Sequence, residues 1–540
     1  MILLPSEILH QIFLLFDQQQ KVECMLVCRH WAHVITTSSL FHTVRMSSMS
    51  GLNKLVDKIQ REPEQGTKVH RLVLNLSIKE NFDMSVIPAL FPNIRVFYLY
   101  QCENRKSLRT MNVQPWYKYM ETMGEYSGLH LAEQLLASSM CSNLKKLSIN
   151  VEFWDAEIIP LLVNAPSLTE LRMTNVFLTI DDLEVLHMNL PRLQTMIFRY
   201  CELNRSRLPT DIQPAPSVMA LRMNFSEIFE KATRKTLLQY IGKKYTNLAE
   251  LTISEDFYHF KREEVDMLYT DGWIPLFQSL GAHLKTLRID PQGVPSNLFA
   301  LLDDAGCRIE NIQIDEASLR TTLASFKKSR QSKYIQSLVL MDEGKGFGNF
   351  DWLEGLSQLR QLKLICLHGN IIHLNDLLQN CLTTLESLSI ESGKLEFNIM
   401  TDQLFHIKEL SFCLVDLPKR IDTFLSQHFP KLNTLKLDHC GSYKKSFILP
   451  MIKLEHFEVM DTFPPYCNNI LVQTLKDDKI RWYTAKHKII AYEDHKELFD
   501  IRDAPVHPAI QCIPYNKVEA TRFMTLMCNS VRNLVMIDKR

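Results

Sequence analysis

Fifteen copies of one short pattern, apolar-x-x-apolar-x-apolar, recur between Val69 and Val459, and this recurrence constrains the chain more than any other feature. Its first apolar positions are Val69, Ile94, Leu144, Leu168, Leu193, Val218, Leu248, Leu284, Ile309, Ile335, Leu359, Leu385, Ile407, Leu432 and Leu454. Most intervals are 22 to 26 residues. The interval of 50 after Ile94 reads as two repeats with a degraded middle pattern near 101–143, and those of 30 and 36 carry insertions near 225–273. A unit this small cannot bury its own leucines, so it must stack on its neighbours; a fixed period of this size marks a solenoid. The end of each pattern alternates as a strand does, as in Leu147-Ser148-Ile149, Leu171-Arg172-Met173 and Leu435-Lys436-Leu437. Helical stretches lie between, at Ile158 to Val163, Leu183 to Met188, Leu237 to Ile241, Leu298 to Leu302 and Thr423 to Phe429. The expected class is therefore an α/β solenoid.

Strand, turn and helix repeated at this length resemble the leucine-rich repeat. Cys102, Cys201 and Cys440 each fall eight residues after the first apolar position of their pattern, where that family places an asparagine or cysteine facing backbone inside the turn. The resemblance implies a horseshoe with a parallel concave sheet and outer helices, and makes these cysteines structural.

The chain before the repeats reads differently. Pro5, Ser6 and Glu7 suit a helix start, and Ile8, Leu9, Ile12, Phe13 and Phe16 follow at three- and four-residue spacing. After Gln18 to Gln20, Val22, Met25, Leu26, Trp31, Val34 and Ile35 give a second helical stripe. Two or three helices of about ten residues bury little surface alone, so apolar surface is expected to be left over. Leu4-Pro5 with Glu7-Ile8, Ile12-Phe13, Val27-Cys28-Arg29 with Trp31, and Leu40-Phe41 resemble the F-box, the adaptor-binding module of SCF-type ubiquitin ligases. The pattern departs from the family at Phe41, where tryptophan is common, and at the glutamine run. The resemblance implies that residues 1–46 bind a Skp-type adaptor, and through it cullin and RING subunits, with Leu4, Pro5, Glu7, Ile8, Ile12, Phe13, Val27, Cys28, Trp31 and Phe41 at the contact. A helical linker carrying Leu52, Leu55, Val56 and Ile59 follows over 47–68, the repeats occupy 69–460, and residues 461–540 form a C-terminal cap. In that last stretch Ile480 to Tyr483 and Ile489 to Tyr492 read as strands, Pro505 to Pro508 as a loop and Phe523 to Val535 as a final helix.

Function classes narrow by charge and motif. The 61 basic and 61 acidic residues cancel, which gives no global attraction to nucleic acid or an anionic membrane. No apolar run reaches the roughly 18 to 20 residues of a membrane span, and Met1 to Leu4 lacks a signal peptide's basic start. A cytoplasmic or nuclear protein is expected. The 13 cysteines are scattered and odd in number, which favours free thiols. Cys24, Cys28, His30 and His33 lack zinc-site spacing, the glycines of Gly344 to Gly348 lack P-loop spacing, and Asp181-Asp182 and Asp303-Asp304 fit helix caps. Neither a cofactor nor a metal is implied, and catalysis by this chain itself is not expected.

What remains is binding. Outward strand positions are free of packing constraints, and the central one carries Tyr98, Arg172, Arg222 and Arg288, with Tyr100 and Arg199 nearby. Such bases could hold an acidic or phosphorylated segment, unless Glu170, Glu250, Asp290 and Asp315 neutralise them. The aromatic insertion with Phe257, Tyr258, Phe260, Tyr269 and Trp273 could cover substrate or its own repeats. A substrate receptor and a non-degradative repeat scaffold need the same two surfaces, and the sequence does not separate them.

Overall fold

The computed structural model describes the chain apart from residues 1–3, 17, 37–39, 79–81, 104, 139–140, 151–157, 204–206, 226–230, 256–269, 290–296, 316–325, 327, 343–346, 348–349, 367–369, 381–383, 398–403, 441–445, 461–468, 476–478, 485–498, 501–522 and 538–540. It forms two compact units, residues 1–261 with 271–280 and residues 281–540 with 262–270.

The first unit opens with three helices, α1 (Ser6–Leu14), α2 (Gln18–Met25) and α3 (Arg29–Val34). Strand β1 (Thr43–Met46) and helix α4 (Met49–Arg61) follow. A parallel ladder then runs from β1 through β2 (Arg71–Ile78), β3 (Val96–Cys102), β4 (Thr122–Glu125), β5 (Lys146–Asn150) and β6 (Glu170–Thr174). It continues into the strands Thr195–Leu203, Ala220–Phe225 and Glu250–Glu255. In the second unit the parallel order is Thr286–Ile289, Asn311–Asp315, Ser337–Asp342, Gln361–Cys366, Ser387–Glu396, Glu409–Asp416, Thr434–Asp438 and Ser446–Met460. Helices and short 3-10 turns connect the strands, as expected of a leucine-rich-repeat solenoid.

The repeat pattern translates directly into burial. All fifteen first apolar positions are at most 3% exposed. Most repeat strands also start from the same hinge, in which one carbonyl accepts two successive N–H groups of the next repeat. His70 O receives Arg95 N at 2.8 Å and Val96 N at 3.0 Å, and Lys285 O receives Glu310 N at 2.8 Å and Asn311 N at 3.1 Å. The hinge uses backbone alone, so it tolerates any side chain and fixes the register of the outward residues.

The missing repeat of the 50-residue interval is β4. Met120 and Met123 hold the first two core positions, both 0% exposed, and the third is Glu125, a carboxylate that is also 0% exposed. Its Oε2 accepts the N–H groups of Leu131 and Ala132 at the start of the helix His130–Ser138. Polar identity at a core position is why the pattern fades there.

The eighth position behaves as the cysteines suggest. Cys201 Sγ donates to Asn224 O at 3.1 Å, Cys440 Sγ donates to Phe412 O at 3.2 Å, and Cys102 is buried. The residue before the eighth position is often left-handed: Asn175 (φ 57°), Tyr200 (50°), Ser392 (62°), Leu414 (56°) and His439 (47°). In four of the five the turn returns the next side chain, Val176, Cys201, Val415 or Cys440, to the core.

Two expectations change. Residues 47–68 are not a linker beside the array but its first repeat. His42 O accepts His70 N and Arg71 N, each at 3.0 Å, which is the repeat hinge, and Leu52, Leu55, Val56 and Ile59 of α4 are all buried. Phe523 to Val535 is not a helix. The strand Phe523–Ile537 pairs in parallel with both Ser446–Met460 and Asn469–Thr474. Its apolar residues fit either period, and the open edge of the last repeat selects the strand. The tail therefore extends the sheet, with Lys479–Thr484 added antiparallel as the expected strand at Ile480 to Tyr483. Ile489 to Tyr492 and Pro505 to Pro508 lie outside the described residues, as do Phe257, Tyr258, Phe260 and Tyr269 of the insertion. Trp273 is buried in the helix Thr270–Leu280, stacked on Phe277 at 5.3 Å.

Candidate functional site

Helix α1 is apolar on two sides. Leu9 and Phe13, 2% and 1% exposed, face inward with Phe16 and build a small core with Val34, Ile35 and Trp31. Phe13 meets Trp31 edge-on at 5.4 Å and Phe16 at 6.0 Å. On the other side Ile8 is 49% and Leu15 85% exposed, seven residues apart and so on one stripe, with Leu4 (45%) just before the helix. Val22 (50%), Leu26 (84%) and Val27 (63%) are likewise uncovered on α2 and at the turn into α3. Six apolar side chains outside so small a core are the surplus expected of a short helical unit.

Individual site residues divide between these surfaces. Leu4, Pro5, Glu7, Ile8, Val27 and Cys28 are exposed, and Ile12, Trp31 and Phe41 are half-buried. Phe13 belongs to the core. Cys28 has a local duty as well, its Sγ accepting Trp31 N at 3.4 Å as the cap of α3. Phe41 lies under Lys58 Nζ of α4, 4.8 Å from its ring centre, and so ties the helical unit to the first repeat. Leu15 was not singled out from the sequence, and Val22 and Leu26 were read only as part of the second helical stripe and not as contact residues, although the seven-residue spacing from Ile8 to Leu15 is a usable signal.

The second surface is the solvent face of the sheet. Val73, Tyr98, Gly124, Ser148, Arg172, Ile197, Arg222 and Thr252 pair in register across the first unit, and Arg288, Gln313, Val339, Lys363, Ser389, Ser411, Lys436 and Glu458 across the second. Every outward position expected from the pattern lies on one of these two rows. The arginine group is not uniform. Arg222 donates through two nitrogens to Glu250, at 2.7 and 3.1 Å, and is thereby neutralised. Arg172 reaches Glu170 only at 3.7 Å, while Lys146 holds the same carboxylate at 2.8 Å. Arg199 is exposed and sits beside Thr174, one outward position further along. Arg288 is exposed in the second unit. Asp290 and the side chain of Asp315 lie outside the described residues.

Tyr98 and Tyr100 do come together with a third tyrosine. Tyr100 stacks on Tyr126 at 4.8 Å, and the Tyr98 ring lies against Gly124, where a Cβ would collide with its Cδ1. Burial and neighbouring Tyr126 raise the Tyr98 pKa, which keeps the phenol protonated. Tyr126 was missed because it follows the degraded pattern.

Groups that could suggest chemistry have structural duties. Thr179 and Asp182 form a reciprocal cap on the helix Ile180–Asn189. Asp303 accepts Arg330 N and Gln331 Nε2, both at 2.8 Å, and so caps the next repeat's 3-10 turn. Burial pushes the thiols of Cys307, Cys366 and Cys440 up to about 12, which leaves them protonated and unreactive. The glycine run at 344–348 lies almost wholly outside the described residues.

Comparison with protein families matches residues 1–47 to the F-box-like model. No curated protein sequence matches the chain. Among solved structures, the yeast Rad7–Elc1 complex aligns over 79% of this chain and 90% of its own at 14% identity, with a TM-score of 0.35. The TLR13–ssRNA13 complex aligns over 78% and 64% at 12% identity with a TM-score of 0.38, and the mouse RP105/MD-1 complex over 73% and 71% at 13% with 0.30. With the repeats described above, the chain is an F-box-like domain at its N-terminus followed by a leucine-rich-repeat solenoid.

Proposed function

We propose that this protein is the substrate-recognition subunit of an SCF-type ubiquitin ligase, non-catalytic in itself, acting in the cytoplasm or nucleus. The observation that carries this reading is the uncovered apolar stripe of α1 with Leu26 and Val27, on a helical unit whose other side already forms its core. A Skp-type adaptor would cover that stripe and link the chain to cullin and RING subunits. At roughly 1.5 to 3 kcal/mol per fully covered side chain, these six residues together outweigh an association cost of about 4 to 15 kcal/mol only if most are covered at once. The sheet face would hold a protein substrate. Ubiquitin transfer then follows from proximity, because a tethered lysine sees a high effective concentration of the charged conjugating enzyme.

Geometry adds one requirement. Strand β1 lies within the N-terminal segment and pairs with β2, so the sheet begins before residue 47. Deleting residues 1–46 would also remove β1 and is a poor test. Ile8→Asp and Val27→Asp change exposed positions only. Each should abolish co-elution with a purified Skp-type adaptor while leaving thermal unfolding unchanged, and should remove adaptor-dependent ubiquitin chains from co-purified proteins. Adaptor binding without such chains would instead support a scaffold.

A further inference from the structure

Two arginines on the solvent face of the first unit have unfinished hydrogen bonding. Arg71 Nε and Arg172 Nε are both shielded from solvent, and neither has a hydrogen-bond partner among the described residues. A guanidinium forms a planar fork of donors, and with Nε shielded the remaining Nη donors are the ones a carboxylate can meet. Arg222 shows the completed form on the same row, with Glu250 filling both positions.

The ground between these arginines is aromatic. Arg71 stands 5.9 Å from the centre of the Tyr98 ring, that ring lies against Gly124, and Tyr126 stacks on Tyr100. Ser148 then separates Gly124 from Arg172 along the row. Among the described residues the local charge is positive. Lys146 and Arg172 share the single carboxylate of Glu170, and Arg95 and Lys145 share that of Glu121. Two cations meet each acid, and Arg71 adds another.

We propose that this strip, from Arg71 across the tyrosines to Arg172, binds an extended, unphosphorylated protein segment with two carboxylates and with apolar or aromatic residues between them. Strands spaced by about 4.8 Å put β2 and β6 about 19 Å apart, which an extended chain spans in about five or six residues. The segment crosses the strands, one carboxylate on each arginine and its centre on the tyrosines. Glu170 favours a carboxylate over a phosphate at the Arg172 end, because a dianion would face it directly. The proposal rests on reading the sheet face as the substrate surface.

The test is selection of random linear peptides displayed on beads against the full-length protein bound to its adaptor. Selected sequences should carry Asp or Glu in pairs about five or six residues apart. Their affinity, read by fluorescence anisotropy, should fall about tenfold or more in Arg71→Gln and Arg172→Gln, fall in Gly124→Leu, and weaken with salt. Arg222→Gln, whose partner is internal, should change it less than about twofold. Binders without acids, binders indifferent to Arg71 and Arg172, or no binders at all would overturn the proposal. So would tighter binding of phosphoserine versions of the peptides or of single-stranded poly-uridine. Adaptor co-elution of the same variants separates the two readings: its loss in the parent chain sinks the receptor assignment, whereas its retention without acid-dependent peptides sinks only the strip.

Discussion

The carboxylate of Glu125 accepts the backbone N–H of Leu131 at 2.9 Å, from a core position that the other repeats fill with an apolar side chain. A second bond to Ala132 N at 3.0 Å makes the residue a buried anchor for a helix start. Completing the pattern with Glu125→Leu should therefore destabilise the protein, by about 2 to 4 kcal/mol, because two buried N–H groups lose their acceptor. Glu125→Gln keeps an acceptor and should cost less. Denaturant unfolding of the three proteins checks the order.

The apolar ladder predicts damage of another kind. Leu287 is 0% exposed, and Leu287→Asp should cost about 4 kcal/mol or more through an unpaired buried charge. Leu287→Ile, close in volume, should cost under about 1.5 kcal/mol. Because each repeat leans on its neighbours, hydrogen exchange should rise first in the strands Thr286–Ile289 and Asn311–Asp315.

Two histidines are held neutral. Burial, helped by nearby His70, lowers His42 from 6.5 to about 4, and burial beside Lys244 lowers His187 to about 3. The unfolded chain then binds the extra protons, so stability is full above about pH 6.5 and declines as pH falls towards the folded values. Between about pH 7.5 and about pH 5, His187 alone should account for about 2 kcal/mol of that loss. His187→Phe should shrink the difference between denaturation curves at the two pH values by that amount.

Thiol reactivity should follow burial. Cys28 is exposed, whereas burial raises the pKa of Cys201 and Cys440 and their Sγ atoms donate to carbonyls of neighbouring repeats. Brief alkylation of the native protein followed by peptide mapping should label Cys28 and spare the other two until denaturant is added.

The sequence by itself determined the solenoid, its period and its outward rows. A unit of about 25 residues has only one way to hide its leucines, so their spacing encodes stacking, strand register and the buried eighth-position cysteines. It also determined the N-terminal helices, through the three- and four-residue spacing of Leu9, Phe13 and Phe16. Only the tertiary structure decided the rest. Which side of α1 stays uncovered depends on where α3 packs, since Phe13 and Ile8 are equally apolar as letters. Whether 523–537 becomes helix or strand depends on the open edge offered by Ser446–Met460. Arg222 and Arg172 occupy equivalent positions, yet one is closed by Glu250 and the other has a donor without a partner among the described residues, because the residue on the adjacent strand is Thr195 instead of an acid. Periodicity is local and carried by the chain, whereas the choice of partner is made across strands that lie about 25 residues apart in sequence and about 4.8 Å apart in space.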